Sequence, residues 1–198
     1  RGPRPSLLVL PASLISNWTS EIERFLPSLR YFVAHPSGGA DKEALRGGPA
    51  LDEVDLVITT YGLCQKYAWL QHVQWDLVIL DEAQAIKNPG TQQTRAVKKL
   101  RARNRIIMTG TPIENRLSDL WSLFDFLNPG LLGTSEEFSG FSKKLNRDSS
   151  GYARLKTVVS PYILRRLKTD KTVISDLPEK IEMKTYAELS RKQVVLYE

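Results

Sequence analysis

Val78-Ile-Leu-Asp-Glu-Ala-Gln84 is the stretch from which the rest of the chain can be ordered. Its lead-in, Trp75-Asp-Leu-Val-Ile-Leu80, carries apolar residues at successive rather than alternate positions. That is the pattern of a strand covered on both faces, as in a parallel sheet. Asp81 and Glu82 follow at once, which puts two carboxylates at the carboxyl edge of the sheet, where open α/β sheets bind their ligands. In a nucleotide hydrolase both would be needed: one to hold Mg²⁺, directly or through water, and one to orient or activate the attacking water. The same pair could cap a helix or stand solvated in a loop, and this stretch alone does not separate the three.

A second polar turn changes that balance. Ile106-Ile-Met108 runs into Thr109-Gly-Thr-Pro112, a tight turn with a glycine between two hydroxyls. It lies 28 residues after Asp81, with one helical stretch between, so it is expected at the same sheet edge. Two polar turns converging there are hard to read as incidental.

Further apolar runs extend the sheet. Leu7-Leu-Val-Leu10, Tyr31-Phe-Val-Ala34, Asp55-Leu-Val-Ile-Thr59 and Arg105-Ile-Ile-Met108 join 75–80 to make five strand candidates. Helical stretches separate them. One, expected to be capped by Ser13, reaches about Leu26 with Leu14, Trp18, Ile22, Phe25 and Leu26 on one face. Others run from 62 to about 73 and from 91 to about 101. Alternating strands and helices predict a parallel α/β sheet. After Asn115 the pattern becomes helical: a strongly apolar stretch over 117–127, then Thr134-Ser-Glu-Glu137 spaced as a capping box, then a helix from about 152 to 159. Alternation in Ile181-Glu-Met-Lys-Thr185 predicts a returning strand, and Ser190 a last helix cap.

Composition removes several classes of function. The 198 residues are 41% hydrophobic and 25% charged, ordinary globular usage that excludes wholesale disorder. One cysteine, Cys64, cannot form an internal bridge, and with only two histidines, His35 and His72, a structural zinc site is not expected. No apolar run reaches the roughly 18 residues of a membrane span, so no membrane partner is expected. The net charge of +6 permits a polyanion without establishing one. The basic run Arg95, Lys98, Lys99, Arg101, Arg103 and Arg105 reads as a solvated face, and Trp18, Trp75 and Trp121 read as core.

In sum these features resemble the Swi/Snf-type ATPases, helicase-like motors of superfamily two. Leu8-Val-Leu-Pro11 with Ser13, Leu14, Asn17 and Trp18 resembles motif Ia, and Asp55-Leu-Val-Ile-Thr-Thr-Tyr61 resembles motif Ib. Asp81-Glu-Ala-Gln84 with Ile86-Lys-Asn88 resembles motif II, with Gln where His is the common choice. Thr109-Gly-Thr-Pro-Ile-Glu-Asn115 resembles motif III. Leu120-Trp-Ser-Leu123, Phe126-Leu-Asn-Pro129, Leu164-Arg-Arg-Leu-Lys168 and Leu177-Pro-Glu-Lys180 are similar to the helical protrusion and its return. No Gly-x-x-x-x-Gly-Lys-Ser/Thr loop occurs in the sequence. The chain is therefore expected to be a fragment: a first lobe lacking its phosphate cradle, without the second lobe, and inactive by itself.

The resemblance implies a RecA-like first motor lobe over 1–116, a helical protrusion over 117–175, and a return toward a second lobe over 176–198. It implies an ATP- and Mg²⁺-dependent translocase on double-stranded DNA, acting on a DNA-bound protein complex. Asp81 and Glu82 would be the Mg²⁺ site, with Glu82 positioning water and Gln84 sensing the γ-phosphate or coupling it to motif III. Thr109, Gly110 and Thr111 would couple nucleotide state to the DNA side, and Ser13, Thr59, Thr60 and Tyr61 would track the phosphate backbone. The protein would be cytoplasmic and nucleoid-associated in a bacterium or archaeon, nuclear in a eukaryote. A strand-separating helicase lobe and a catalytically dead interaction module remain as alternatives.

Overall fold

The strand Ser6–Leu10 (β1) sits at the middle of the sheet, and both its faces are apolar. In the computed structural model, which describes residues 4–110, 117–145, 150–166 and 183, Leu7 and Val9 enter one core group while Leu8 and Leu10 enter another. Successive side chains of a strand point to opposite faces. An uninterrupted apolar run is thus the requirement for a strand with helices on both sides.

Around β1 stand Tyr31–Val33 (β2), Leu56–Thr60 (β3), Gln74–Leu80 (β4) and Arg101–Ile107 (β5), in the order β2-β3-β1-β4-β5. All four pairings are parallel. The register sets Val9 against Leu80 and Leu10 against Thr60, so the chain leaves three strands at one level, with Pro11, Tyr61 and Asp81 adjacent. The expected α/β sheet and its five strands are therefore present.

Helix α1 (Ile15–Phe25) covers one face, anchored by Ile15 and Ile22. The other face meets α2 (Lys42–Gly47), α3 (Tyr61–Lys66), α4 (Trp69–His72), α5 (Gln92–Lys98) and α6 (Leu117–Leu127) through Leu45, Cys64, Leu70, Val97, Leu123 and Phe126. Cys64 is fully buried, and burial pushes its thiol up to about 12, so it packs as a small apolar group. Trp75 is fully buried on β4 and its indole donates to the Leu70 carbonyl at 2.9 Å.

Three local expectations are corrected. Ser13 caps nothing: it is exposed inside a 3₁₀ turn, Ala12–Leu14, in which Leu14 N donates to the Pro11 carbonyl, and α1 has no side-chain cap. The stretch expected as one helix over 62–73 breaks at Tyr67, whose backbone is extended. The Gln71 side chain donates to the carbonyl of Cys64 at 3.0 Å, satisfying an acceptor that the break would otherwise orphan. The Trp69 ring lies so close to Gly48, at φ +84°, that a Cβ there would approach it to 2.8 Å. The third correction concerns β5, which begins at Arg101, where a helix end was expected. It is an edge strand, and its exposed Arg101 and Arg103 need no apolar partner and discourage further strand pairing.

Two residues of the basic run are part-buried and partnered instead of freely solvated. Lys98 pairs with Asp125 of α6 at 2.7 Å and lies 4.7 Å from the Trp121 ring centroid. Arg105 donates to the carbonyls of Phe126 and Leu100, at 2.8 and 3.1 Å, and burial lowers its pKa. Arg105 therefore fastens α6 to the edge strand β5, and Lys98 fastens it to α5. The box at Thr134 forms reciprocally: Thr134 N donates to Glu137 Oε2 at 2.7 Å and Glu137 N to Thr134 Oγ1 at 3.2 Å, opening α7 (Ser135–Leu145). These elements belong to a compact unit, 1–148; a second unit, 149–198, contains α8 (Ser150–Val159) and a 3₁₀ turn, Ser160–Tyr162. The strand expected at 181–185 and the cap at Ser190 lie outside the described residues, Met183 excepted.

One surface pair gives a pH test. Arg30 grips Asp55, with Nη2 at 2.8 Å from Oδ1 and both Nε and its backbone N on Oδ2, tying the approach to β2 to that of β3. These bonds hold the Asp55 carboxyl below its ordinary 3.8. A carboxyl lowered by folding adds stability above its unfolded value, and that stability is lost as pH falls through the folded one. Asp55→Asn should therefore be less stable than the parent chain near neutrality by a small margin, as fits an exposed pair. Denaturant melts of both proteins should show the gap closing as pH falls below the ordinary carboxyl range; a gap unchanged by acid would remove the ion pair as its cause.

Candidate functional site

The C-terminal ends of β1, β3, β4 and β5 bring the sequence-selected polar residues to one edge. Asp81 N donates to the Val9 carbonyl at 2.8 Å, continuing the β1–β4 ladder one step past the strand. Ala83 N donates to the Met108 carbonyl at 3.0 Å, and Met108 N to the Leu80 carbonyl at 2.8 Å, clipping the two polar turns together. Convergence of the Asp-Glu turn with the Thr-Gly turn is thus a property of the backbone.

The Asp81 carboxylate is held at both oxygens. Glu82 N donates to Oδ1 at 2.9 Å, and the indole of Trp18 donates to Oδ2 at 2.8 Å. Beneath it, the Tyr61 hydroxyl donates to the Asp81 carbonyl at 2.6 Å. Burial, and then the negative charge of Asp81, raise the Tyr61 pKa, so the phenol stays a donor. Glu82 takes a left-handed backbone, φ 50° and ψ 51°, the only non-glycine residue with positive φ among the described residues. Such a conformation costs about 1–3 kcal/mol and persists only where its surroundings impose it. Here Ala83 and Ile86, both fully buried, pin the chain just beyond.

From Glu82 a chain of side chains leads to β5. Gln84 Nε2 donates to Glu82 Oε2 at 2.7 Å, and Thr109 Oγ1 donates to Gln84 Oε1 at 2.9 Å. An amide has a donor end and an acceptor end, so one glutamine can receive from one turn and give to the other. Ser122 of α6, fully buried, donates to the Ile86 carbonyl at 2.7 Å, bracing the loop from behind.

Asp81, Glu82, Gln84 and Thr109 therefore stand together, and Gly110 follows exposed; Thr111 lies outside the described residues. Of the four residues expected along nucleic acid, Ser13 is exposed and Thr60 half-buried. Thr59 is fully buried, its hydroxyl donating to the Ala34 carbonyl at 3.1 Å, and the Tyr61 hydroxyl is spent on Asp81. Any phosphate contact by those two is left to their backbone. Sequence reasoning missed the contact of Trp18 with Asp81: helical spacing put the indole on the inward face and gave no sign of a carboxylate there.

Among the described residues no three His, Cys, Asp or Glu side chains cluster as a protein-only metal cage. One or two carboxylates suit Mg²⁺ instead, which keeps water and phosphate oxygens as its remaining ligands. Asp81 fits that use, since each of its oxygens receives one hydrogen bond and keeps acceptor capacity.

This geometry has known counterparts. The family description SNF2-related domain matches residues 1–198. A putative ATP-dependent helicase/translocase of Bacillus subtilis, YwqA, is 39% identical over the whole of this chain, which spans 22% of its length. The TATA-binding protein-associated factor mot1 of Aspergillus fumigatus is also 39% identical, over 98% of this chain and 11% of its own. Among solved structures, the Sulfolobus solfataricus SWI2/SNF2 ATPase core in complex with dsDNA superposes with a TM-score of 0.78 at 43% identity, covering 98% of this chain and 40% of that one. The present chain thus spans well under half of the relatives it matches. The parallel sheet is of the RecA-like kind that these cores share, and the chain belongs to the SNF2-related domain family.

Proposed function

We propose that this chain is the part of a Swi/Snf-type motor that carries motifs Ia, Ib, II and III, and that it works in ATP-driven translocation on double-stranded DNA. The observation that carries the reading is the continuous path Glu82–Gln84–Thr109, which links a carboxylate suited to hydrolysis to the turn after β5. The names of its relatives, helicase/translocase and SWI2/SNF2 ATPase core with dsDNA, support it. When bound, Mg²⁺·ATP supplies the polarised γ-phosphate on which hydrolysis acts.

Within this scheme Asp81 holds the cation, its carboxylate steadied by two donors. Glu82 faces the attacking water as its orienting acceptor. Gln84 reads whether Glu82 is engaged, because a change at Glu82 Oε2 shifts the amide whose other end, Oε1, receives the Thr109 hydroxyl. The turn at Thr109–Gly110 passes this difference on toward duplex DNA, with Ser13 and Thr60 as the surface hydroxyls near the strand ends. The region 117–175, whose described residues include α6, α7 and α8, is assigned to the protrusion that meets a DNA-bound protein complex. The corresponding location is the nucleoid-bearing cytoplasm of a prokaryote or the nucleus of a eukaryote; among the described residues no helix is long and apolar enough to cross a membrane.

Thr109→Val in the protein that carries this chain tests the path. It removes the hydroxyl while keeping a β-branched side chain of similar size. DNA-stimulated phosphate release is expected to fall roughly threefold to tenfold, the worth of about one hydrogen bond, with ATP affinity unchanged. Full stimulation in the variant would break the proposed coupling.

A further inference from the structure

Asp81 is the residue on which the proposed site depends, and the group that fixes its outer oxygen comes from 63 residues away. Trp18 lies three residues after Ile15 and four before Ile22, on the helical stripe that faces the sheet. That stripe aims the indole at the C-terminal sheet edge. Helix α1 itself follows β1 through the Pro11–Leu14 turn, and β1 is bonded to β4 up to the Val9 carbonyl that receives Asp81 N. Donor and acceptor are therefore both referenced to one β1–β4 ladder.

The chemistry of the donor matters as much as its place. Indole is a donor only and is neutral. A lysine or arginine here would offset the charge of Asp81 and compete with a cation; an indole orients the carboxylate without doing so. With Glu82 N on Oδ1 and Trp18 Nε1 on Oδ2, the carboxylate is held in one orientation from both oxygens, which directs its remaining lone pairs. The other three tryptophans donate to backbone carbonyls instead: Trp69 to Leu45, Trp75 to Leu70 and Trp121 to Gly133.

We propose that Trp18 is a positioning residue for Asp81, its indole N–H fixing the carboxylate in the orientation that receives a divalent cation. This rests on the nucleotide-site reading above. It also gives α1, whose entry turn holds the exposed Ser13, a direct mechanical connection to the cation ligand.

The test uses the protein that carries this chain, with Mn²⁺ and ADP as probe. Free Mn²⁺ is followed by electron paramagnetic resonance, so turnover is not needed. Trp18→Phe keeps the ring and removes the donor, and it is expected to weaken Mn²⁺·ADP binding about 10- to 100-fold, the usual effect of losing a partner behind a metal ligand. Its thermal melt checks folding. Asp81→Asn is measured alongside. If Asp81→Asn weakens binding and Trp18→Phe stays within about twofold of wild type, the positioning role is overturned and the site reading stands. If both are silent, both fall. Should Trp18→Phe fail to fold, the indole N–H signals of ¹⁵N-tryptophan-labelled wild type decide. On adding Mn²⁺-free Mg²⁺·ADP, the Trp18 signal is expected to move while those of Trp69, Trp75 and Trp121 hold. A Trp18 signal unmoved at saturation overturns the proposal.

Discussion

Glu82→Gln is expected to bind nucleotide as the parent protein does and to lose turnover by about 10²-fold or more, the contribution of a positioned acid–base group. Glutamine preserves the length of the side chain and, through its amide oxygen, an acceptor for Gln84 Nε2, which now meets Glu82 Oε2 at 2.7 Å. What it removes is the negative charge that orients and draws a proton from water. Asp81, the proposed cation ligand, keeps both of its donors, since neither the Glu82 backbone N–H nor the Trp18 indole is altered. Single-turnover phosphate release on duplex DNA, with nucleotide affinity measured in parallel, separates the two effects. An unchanged single-turnover rate would take the water-orienting role away from Glu82; lost nucleotide affinity would instead place Glu82 among the binding groups.

The largest effect on folding should come from Trp75→Ala. Trp75 is fully buried on β4, its ring centroid 6.3 Å from that of Trp69 and its N–H on the Leu70 carbonyl. Truncating a buried aromatic costs about 3–5 kcal/mol, transfer and cavity together. That is a large share of the roughly 5–15 kcal/mol by which domains of this size are stable. Trp75→Phe should cost less, about 1–3 kcal/mol, chiefly because the Leu70 carbonyl loses its donor in a dry setting. Denaturant midpoints of the two variants should therefore fall in that order. Equal midpoints would mean that the Leu70 bond, and not ring volume, anchors this end of β4.

The inner strands were legible because a doubly covered sheet favours apolar residues at successive positions, as in Leu7 to Leu10 and Leu77 to Leu80, whereas the polar first half of the edge strand β5, Arg101 to Asn104, was not. The site's carboxylates were legible for the same reason: the strand ends and the charges begin. Polar contacts made across the fold were not. Nothing near Trp18 in the chain distinguishes an indole that meets a carboxylate from one that meets a leucine. Arg105 and Lys98 sat in a run without acidic residues, yet their partners, Phe126 and Asp125, come from a helix about 20 to 27 residues further on. The break at Tyr67 was hidden too, because the Gln71 side chain that satisfies it substitutes for a helical hydrogen bond only once the chain has folded.

The left-handed backbone at Glu82 has an evolutionary consequence. Glycine would adopt φ 50° without penalty, so the position where a carboxylate is proposed to orient water is also one where the fold itself would do better with no side chain at all. Selection for robustness and selection for turnover then pull this codon in opposite directions. A library enriched solely for heat resistance should drift toward glycine at this position and yield sturdier proteins without the proposed turnover. Wherever the glutamate persists in descendants of this sequence, its persistence would record selection for the proposed water-orienting role over backbone ease.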